Sequence, residues 1–150
     1  MALQFGSLAL AEQFDEQVTV ITINRPERHN AVDVTTARAM EGAIDSFEAE
    51  PHSRVAILRG VGSSFSAGQD LKAAAVGCHR AAWRVASWVY GIRSRSSPQL
   101  IAAVEGHALA GGLELCVACD LIVAGEDTMM GIPEAPKTLV AVGGGLFRLP

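Results

Sequence analysis

The chain has 150 residues, with 12 Lys and Arg against 16 Asp and Glu, for a formal net charge of −4. That balance argues against general nucleic-acid binding, and no apolar run approaches the roughly 20 residues that span a bilayer. Apolar residues make up 49% of the chain and glycine contributes 15 positions. This suits one compact α/β domain with many tight turns, not a disordered or fibrous chain.

Met1 to Ala11 carries no basic n-region, and Glu12, Asp15 and Glu16 follow at once. No signal or transit peptide is expected, and the location expected is cytoplasmic. The odd number of cysteines, Cys78, Cys116 and Cys119, is then read as reduced thiols.

In chain order, Val18 to Ile23 is β-branched throughout and predicts a strand, which the polar, proline-containing Asn24 to Asn30 ends. Asp33 suits a helix N-cap, and Ala37, Met40, Ile44 and Phe47 keep a helical stripe up to Pro51. Val55 to Leu58 predicts a short buried strand, and Gly60 to Ser66 a loop. From about Lys72 to Arg95, Ala82, Val85, Ala86 and Val89 recur at helical spacing until Ser96-Ser97-Pro98. Leu100 to Val104 predicts another strand, followed by a glycine turn and a helix over Gly111 to about Ala118. Asp120 to Ala124 and Thr128 to Met130 read as two more strands, and Val142 to Pro150 as a loop entering a helix. Strand and helix alternate with short connections, as in a single α/β domain.

Three segments carry chemistry. In Gly106-His107-Ala108-Leu109-Ala110-Gly111-Gly112-Leu113-Glu114, glycines stand where a strand gives way to a helix. Backbone N–H groups at such a helix start can face an anion. Alternatively, the glycines only permit close packing. Glu114 lies about one turn past Gly111, among Leu113, Leu115 and Val117. A carboxylate there is costly to bury unless paired or catalytic, or else it lies on a solvated face. Ser66-Ala67-Gly68-Gln69-Asp70-Leu71-Lys72 offers a second backbone donor, or merely a glycine turn capped by Asp70. Gly131-Ile132-Pro133-Glu134 brings a second carboxylate. Two carboxylates at one site can divide the work, one activating water and the other delivering a proton.

Other signals are weak. Cys116-Val117-Ala118-Cys119 has C-x-x-C spacing but no partner pair, so buried small residues are expected and no metal. Gly143-Gly144-Gly145 lacks the Gly-Lys-Ser/Thr of a phosphate loop. His29 and His107 have no Ser or Cys elbow beside them and read as loop or packing residues.

Together with Ile23 to Ala31, these segments resemble the crotonase (enoyl-CoA hydratase/isomerase) family over essentially the whole chain, from Val18 to Pro150. The resemblance implies a spiral of ββα units and a coenzyme A thioester as substrate. Its carbonyl oxygen would lie between the N–H groups of Gln69 and Gly111. Ala67, Gly68, Gln69, Asp70, Leu71 and Lys72 would line the coenzyme A groove, with Arg28 near the phosphates. Glu114 would orient or activate water and Glu134 would protonate the α-carbon, which favours syn hydration of a 2-enoyl-CoA. Another crotonase reaction (enoyl-CoA isomerase or acyl-CoA hydrolase) and a non-catalytic acyl-CoA or partner-binding fragment remain alternatives. No cofactor beyond the substrate's own coenzyme A is implied.

Three positions depart from the family pattern: Ala110 and Thr138 stand where glycine is common, and Gln69 where alanine is. Ala110 is expected to be harmless, Gln69 leaves the backbone donor intact, and Thr138 would reshape the loop beside Glu134. Family members typically continue for roughly another hundred residues, so residues 1–150 are expected to be a crotonase-like core domain cut short of its C-terminal helical region, unstable or inactive alone, with a longer parent as the working enzyme. A homo-oligomer, trimer or hexamer, is expected of the longer parent.

Overall fold

The structure is a computed structural model and describes residues 2–4, 7–75, 98–134 and 143–149. Strands β1 (Ala2–Gln4), β2 (Ala9–Gln13) and β3 (Val18–Ile23) form an antiparallel meander. From β3 onward the chain advances in parallel. Strands β4 (Val55–Gly60), β6 (Gln99–Val104) and β8 (Leu121–Ala124) add in turn to give a six-stranded sheet in the order β1-β2-β3-β4-β6-β8. After each of the last three strands the chain makes a short second strand: β5 (Ser64–Ser66), β7 (His107–Leu109) and β9 (Met129–Gly131). These pair in parallel as a separate three-stranded sheet. The result is the expected spiral of ββα turns, each placing one strand in each sheet.

The helices follow from local signals. Helix α1 (Val34–Ala49) starts at Asp33, whose side chain accepts the N–H of Thr36 at 2.8 Å. Its buried face comprises Thr36, Ala37, Met40, Ala43, Ile44 and Phe47, and packs on β2 and β3. Helix α2 spans Leu71–Ala75. The remainder of the helix predicted up to Arg95, together with Cys78 and Thr138, lies outside the described residues. Helix α3 covers Gly111–Ala118, as predicted, and α4 (Gly145–Arg148) packs on it.

Register aligns the core. Ala11, Ile21, Leu58 and Ala102 are neighbours across four strands, and all are buried. Such a row excludes water from one face of the central strands, while the alternate positions of β4 and β6 are half-buried or exposed. Two expectations need correction, and one segment had no reading. Residues 60–66 are not all loop, because Ser64–Ser66 pairs with β7 through fully buried positions. The glycine turn after Val104 likewise contains β7, and two strands precede Val18. All of these are short, which leaves too few residues for an alternating pattern to show.

Candidate active site

The small sheet and the starts of the helices bring the two glycine segments together. Gly68 takes φ +85°, and a Cβ added to it would lie 2.7 Å from the amide nitrogen of Gly111. A Cβ on Gly111 would lie 3.6 Å from the amide nitrogen of Gln69. The Gly68–Gln69 and Gly111 peptides thus lie against one another, and a side chain at Gly68 would collide with the backbone of Leu109 and Gly111, so glycine there permits the close approach.

Local backbone geometry constrains both N–H groups. In the single-residue parallel bridge between Val32 and Gln69, Val32 N donates to Gly68 O at 2.7 Å and Asp70 N to Val32 O at 3.0 Å. That arrangement turns the N–H of Gln69 away from Val32. Gly111 opens α3, where the first N–H groups have no acceptor inside the helix and the helix dipole favours negative charge. The preceding residue, Ala110, is held at φ 53°, ψ −127° by its N–H to Gly131 O (2.9 Å) and its carbonyl to Glu114 N (3.1 Å). This departure from glycine therefore stores backbone strain directly beside the donor.

Glu114 is 5% exposed, so the solvated-face alternative is overturned. Its Oε1 accepts the N–H of Gly145 at 3.1 Å, where α4 meets α3. A Cβ on Gly143 would overlap the same carboxylate, so two of the three glycines in the 143–145 run make room for it. Glu134 is 8% exposed, just beyond β9. The fold thus buries both carboxylates near the ends of elements that follow the small sheet.

The remaining candidates divide. Ala67 and Gly68 form the turn itself, with Ala67 N bonded to His29 O at 2.9 Å and Gly68 N to Ser66 Oγ at 3.2 Å. Arg28, Leu71 and Lys72 are exposed, Arg28 on a short 3₁₀ turn and the other two at the start of α2. Asp70 is buried, and its carboxylate is engaged within the protein. Oδ1 accepts Lys72 N at 3.0 Å and Ala73 N at 3.1 Å, and Oδ2 pairs with Arg25 at 2.9 Å. The Ala73 N–H holds this carboxyl below the ordinary aspartate range, aided by Arg25 and opposed by burial. Asp33 is also shifted down: burial opposes ionisation, but the Thr36 N–H and hydroxyl together with Arg25 outweigh it.

Sequence reasoning missed the scaffold beneath this corner. Asn30 is buried at φ 54°, its Oδ1 accepts Arg25 N, and its Nδ2 donates to Val61 O and Ser64 O at 2.9 and 2.7 Å. Ser66 Oγ donates to Asn30 O at 2.8 Å. The signal was there in Asn24-Arg25-Pro26 and Asn30, polar residues flanking a strand end, but their partners are distant in sequence.

The weaker signals fall in different surroundings. Cys116 is buried in α3, and burial, with Cys119 beside it, pushes its thiol up to about 12. Among the described residues no group of three His, Cys, Asp or Glu side chains could hold a metal, and no helix is long and apolar enough to cross a membrane. His29 and His107 are both exposed.

Residues 13–150 match the model of the enoyl-CoA hydratase/isomerase family. A mevalonyl-coenzyme A hydratase of Aspergillus fumigatus is 36% identical over 144 residues, covering 88% of this chain and 50% of its own length. A carnitinyl-CoA dehydratase of Salmonella arizonae is 42% identical over 133 residues, covering 87% and 51%. Among solved structures, an enoyl-CoA hydratase of Mycobacterium tuberculosis aligns at 46% identity and a TM-score of 0.82, covering 97% of this chain and 56% of its own. The chain spans about half the length of the curated relatives it matches. Fold, glycine corner and relatives agree: the chain has the crotonase fold and belongs to the enoyl-CoA hydratase/isomerase family.

Proposed function

We propose that this chain carries the catalytic face for reversible syn addition of water to a 2-enoyl-CoA thioester. What supports the reading is the close approach of the Gly68–Gln69 backbone to Gly111 at the start of α3, with Glu114 buried three residues further on. A thioester oxygen between the Gln69 and Gly111 N–H groups gains negative charge as water adds, and fixed donors meet that charge without reorganisation. The helix α3 dipole acts in the same sense. Glu114 accepts a proton from water as its oxygen bonds to C3. Glu134 then delivers a proton to C2 of the enolate, and the reverse sequence removes water. Arg28 serves the phosphates of coenzyme A, and Ala67 to Lys72 line its groove. No cofactor besides the substrate's own coenzyme A enters the reaction. The parent assembly is a homo-oligomer, trimer or hexamer, in the cytoplasm. Support for water chemistry over isomerisation comes from two buried carboxylates and from relatives named hydratase and dehydratase, two directions of one reaction.

The test follows the enoyl-thioester absorbance of crotonyl-CoA with this chain and with a full-length parent, each as wild type, Glu114→Gln and Glu134→Gln. Loss of the band with wild type, slowed at least about 100-fold by either substitution while binding persists, is expected. Binding without turnover by the wild-type chain would instead favour the binding-fragment alternative. Turnover that survives Glu114→Gln but not Glu134→Gln would favour an isomerase.

A further inference from the structure

We propose that Arg25 is a positioning residue for the oxyanion corner, acting through Asp70 on the Gln69 N–H. The inference rests on the donor role given above to Gln69. Arg25 follows β3 and its side chain is only 14% exposed. Its Nη1 donates to Ala31 O at 2.9 Å and pairs with Asp70 Oδ2 at 2.9 Å, its Nη2 lies 3.3 Å from Asp33 Oδ2, and its Nε is 3.9 Å from Glu27 Oε1. One guanidinium therefore spans three pieces of chain: the loop after β3, the cap of α1 and the residue next to Gln69.

Its fork geometry suits that task, since a planar cation with several donors can hold acceptors in different directions at once. With its donors committed inside the protein, Arg25 is not offered to substrate phosphates, in contrast to exposed Arg28. Two effects reach Gln69. The first is mechanical: Val32 grips Gly68 and Asp70 through the backbone, and Arg25 grips the Asp70 side chain, so the peptide carrying the Gln69 N–H is fixed at both ends. The second is electrostatic. Asp70 carries a carboxylate immediately after the donor, and Arg25 neutralises it. Without that cation, an uncompensated negative charge would stand one residue from the place where an enolate oxygen must gain charge.

The experiment compares wild type, Arg25→Gln and Arg25→Lys in two ways. Hydrogen–deuterium exchange is read over residues 66–73 and, as a reference, over β6. Separately, kcat and KM for crotonyl-CoA and the enolate absorbance of bound acetoacetyl-CoA are measured. Arg25→Gln is expected to speed exchange around Asp70 at least tenfold with β6 unchanged. It should also lower kcat by about 10- to 100-fold with KM within about threefold, and reduce the enolate band of the bound ligand. Arg25→Lys, which restores charge but not the fork, should fall between. Faster exchange in β6 as well would mean a merely structural role and overturn the proposal, as would a change confined to KM or unchanged exchange around Asp70. Faster local exchange in a wild-type background that neither binds nor turns over thioesters would sustain the positioning role and remove the hydratase reading instead.

Discussion

Ala110 is the residue whose replacement most directly tests the geometry of the corner. Its φ of 53° with ψ of −127° lies where side chains are strained, and such residues cost about 1–3 kcal/mol. Ala110→Gly removes that cost. The added freedom of the unfolded chain offsets about 0.4–1 kcal/mol. Ala110 is only half-buried, so losing its methyl group sacrifices little apolar contact. The net expectation is a gain of about 1 kcal/mol. With a urea dependence of about 2 kcal/mol per M for a chain of this size, the unfolding midpoint should rise by roughly 0.5 M. Far-UV circular dichroism during urea titration is the assay, with Ala39→Gly inside α1 as a control expected to lose about 1 kcal/mol. A lower midpoint for Ala110→Gly, similar to that of the control, would refute the assigned backbone conformation.

Gly112→Ala should have the opposite effect. A Cβ there would overlap Ser66 O and lie 2.8 Å from Ser66 C, both backbone atoms of β5, so α3 must retreat. A loss of about 1–3 kcal/mol in urea unfolding is expected, with an even larger relative loss of thioester turnover; an unchanged midpoint would contradict the close α3–β5 approach. Acid should weaken the protein through Asp70, whose folded pKa is depressed below the ordinary value of 3.8. The stability this carboxylate provides is complete well above that value and is lost as pH falls through the lower folded pKa. Asp70→Asn should therefore be less stable than wild type at pH 6, with the gap closing towards pH 2, and a gap independent of pH would exclude the ion pair as its source.

What could be read from the sequence was whatever local pattern sufficed to fix. The stripe from Ala37 to Phe47 and its Asp33 cap need only residues within the helix, and Gly111–Ala118 is bounded by a glycine turn on one side. The strands β5 and β7 have three residues each, and every residue of β5 is buried, so no alternation marks them. Glu114 drew attention because apolar neighbours surround it. Its partner, the Gly145 N–H, lies 31 residues away, and no local spacing predicts that meeting. Arg25 is similar: an arginine before a proline reads as a loop residue until the fold brings Asp33 and Asp70 to it.

The spiral also dictates how the chain reaches its native state. Val18 must find Val55, and Val55 must find Gln99, each across a long excursion, because parallel neighbours cannot be joined by a tight turn. The meander of β1, β2 and β3 needs only short closures. Loop-closure entropy therefore orders the events: the meander can form within microseconds, and each later winding must wait for a surface on which to land. A topology dominated by such distant pairings belongs among slow folders, in the millisecond-to-second range. The corner between Gly68 and Gly111 joins two successive windings, so it comes into being only when the second has closed on the first, late in folding.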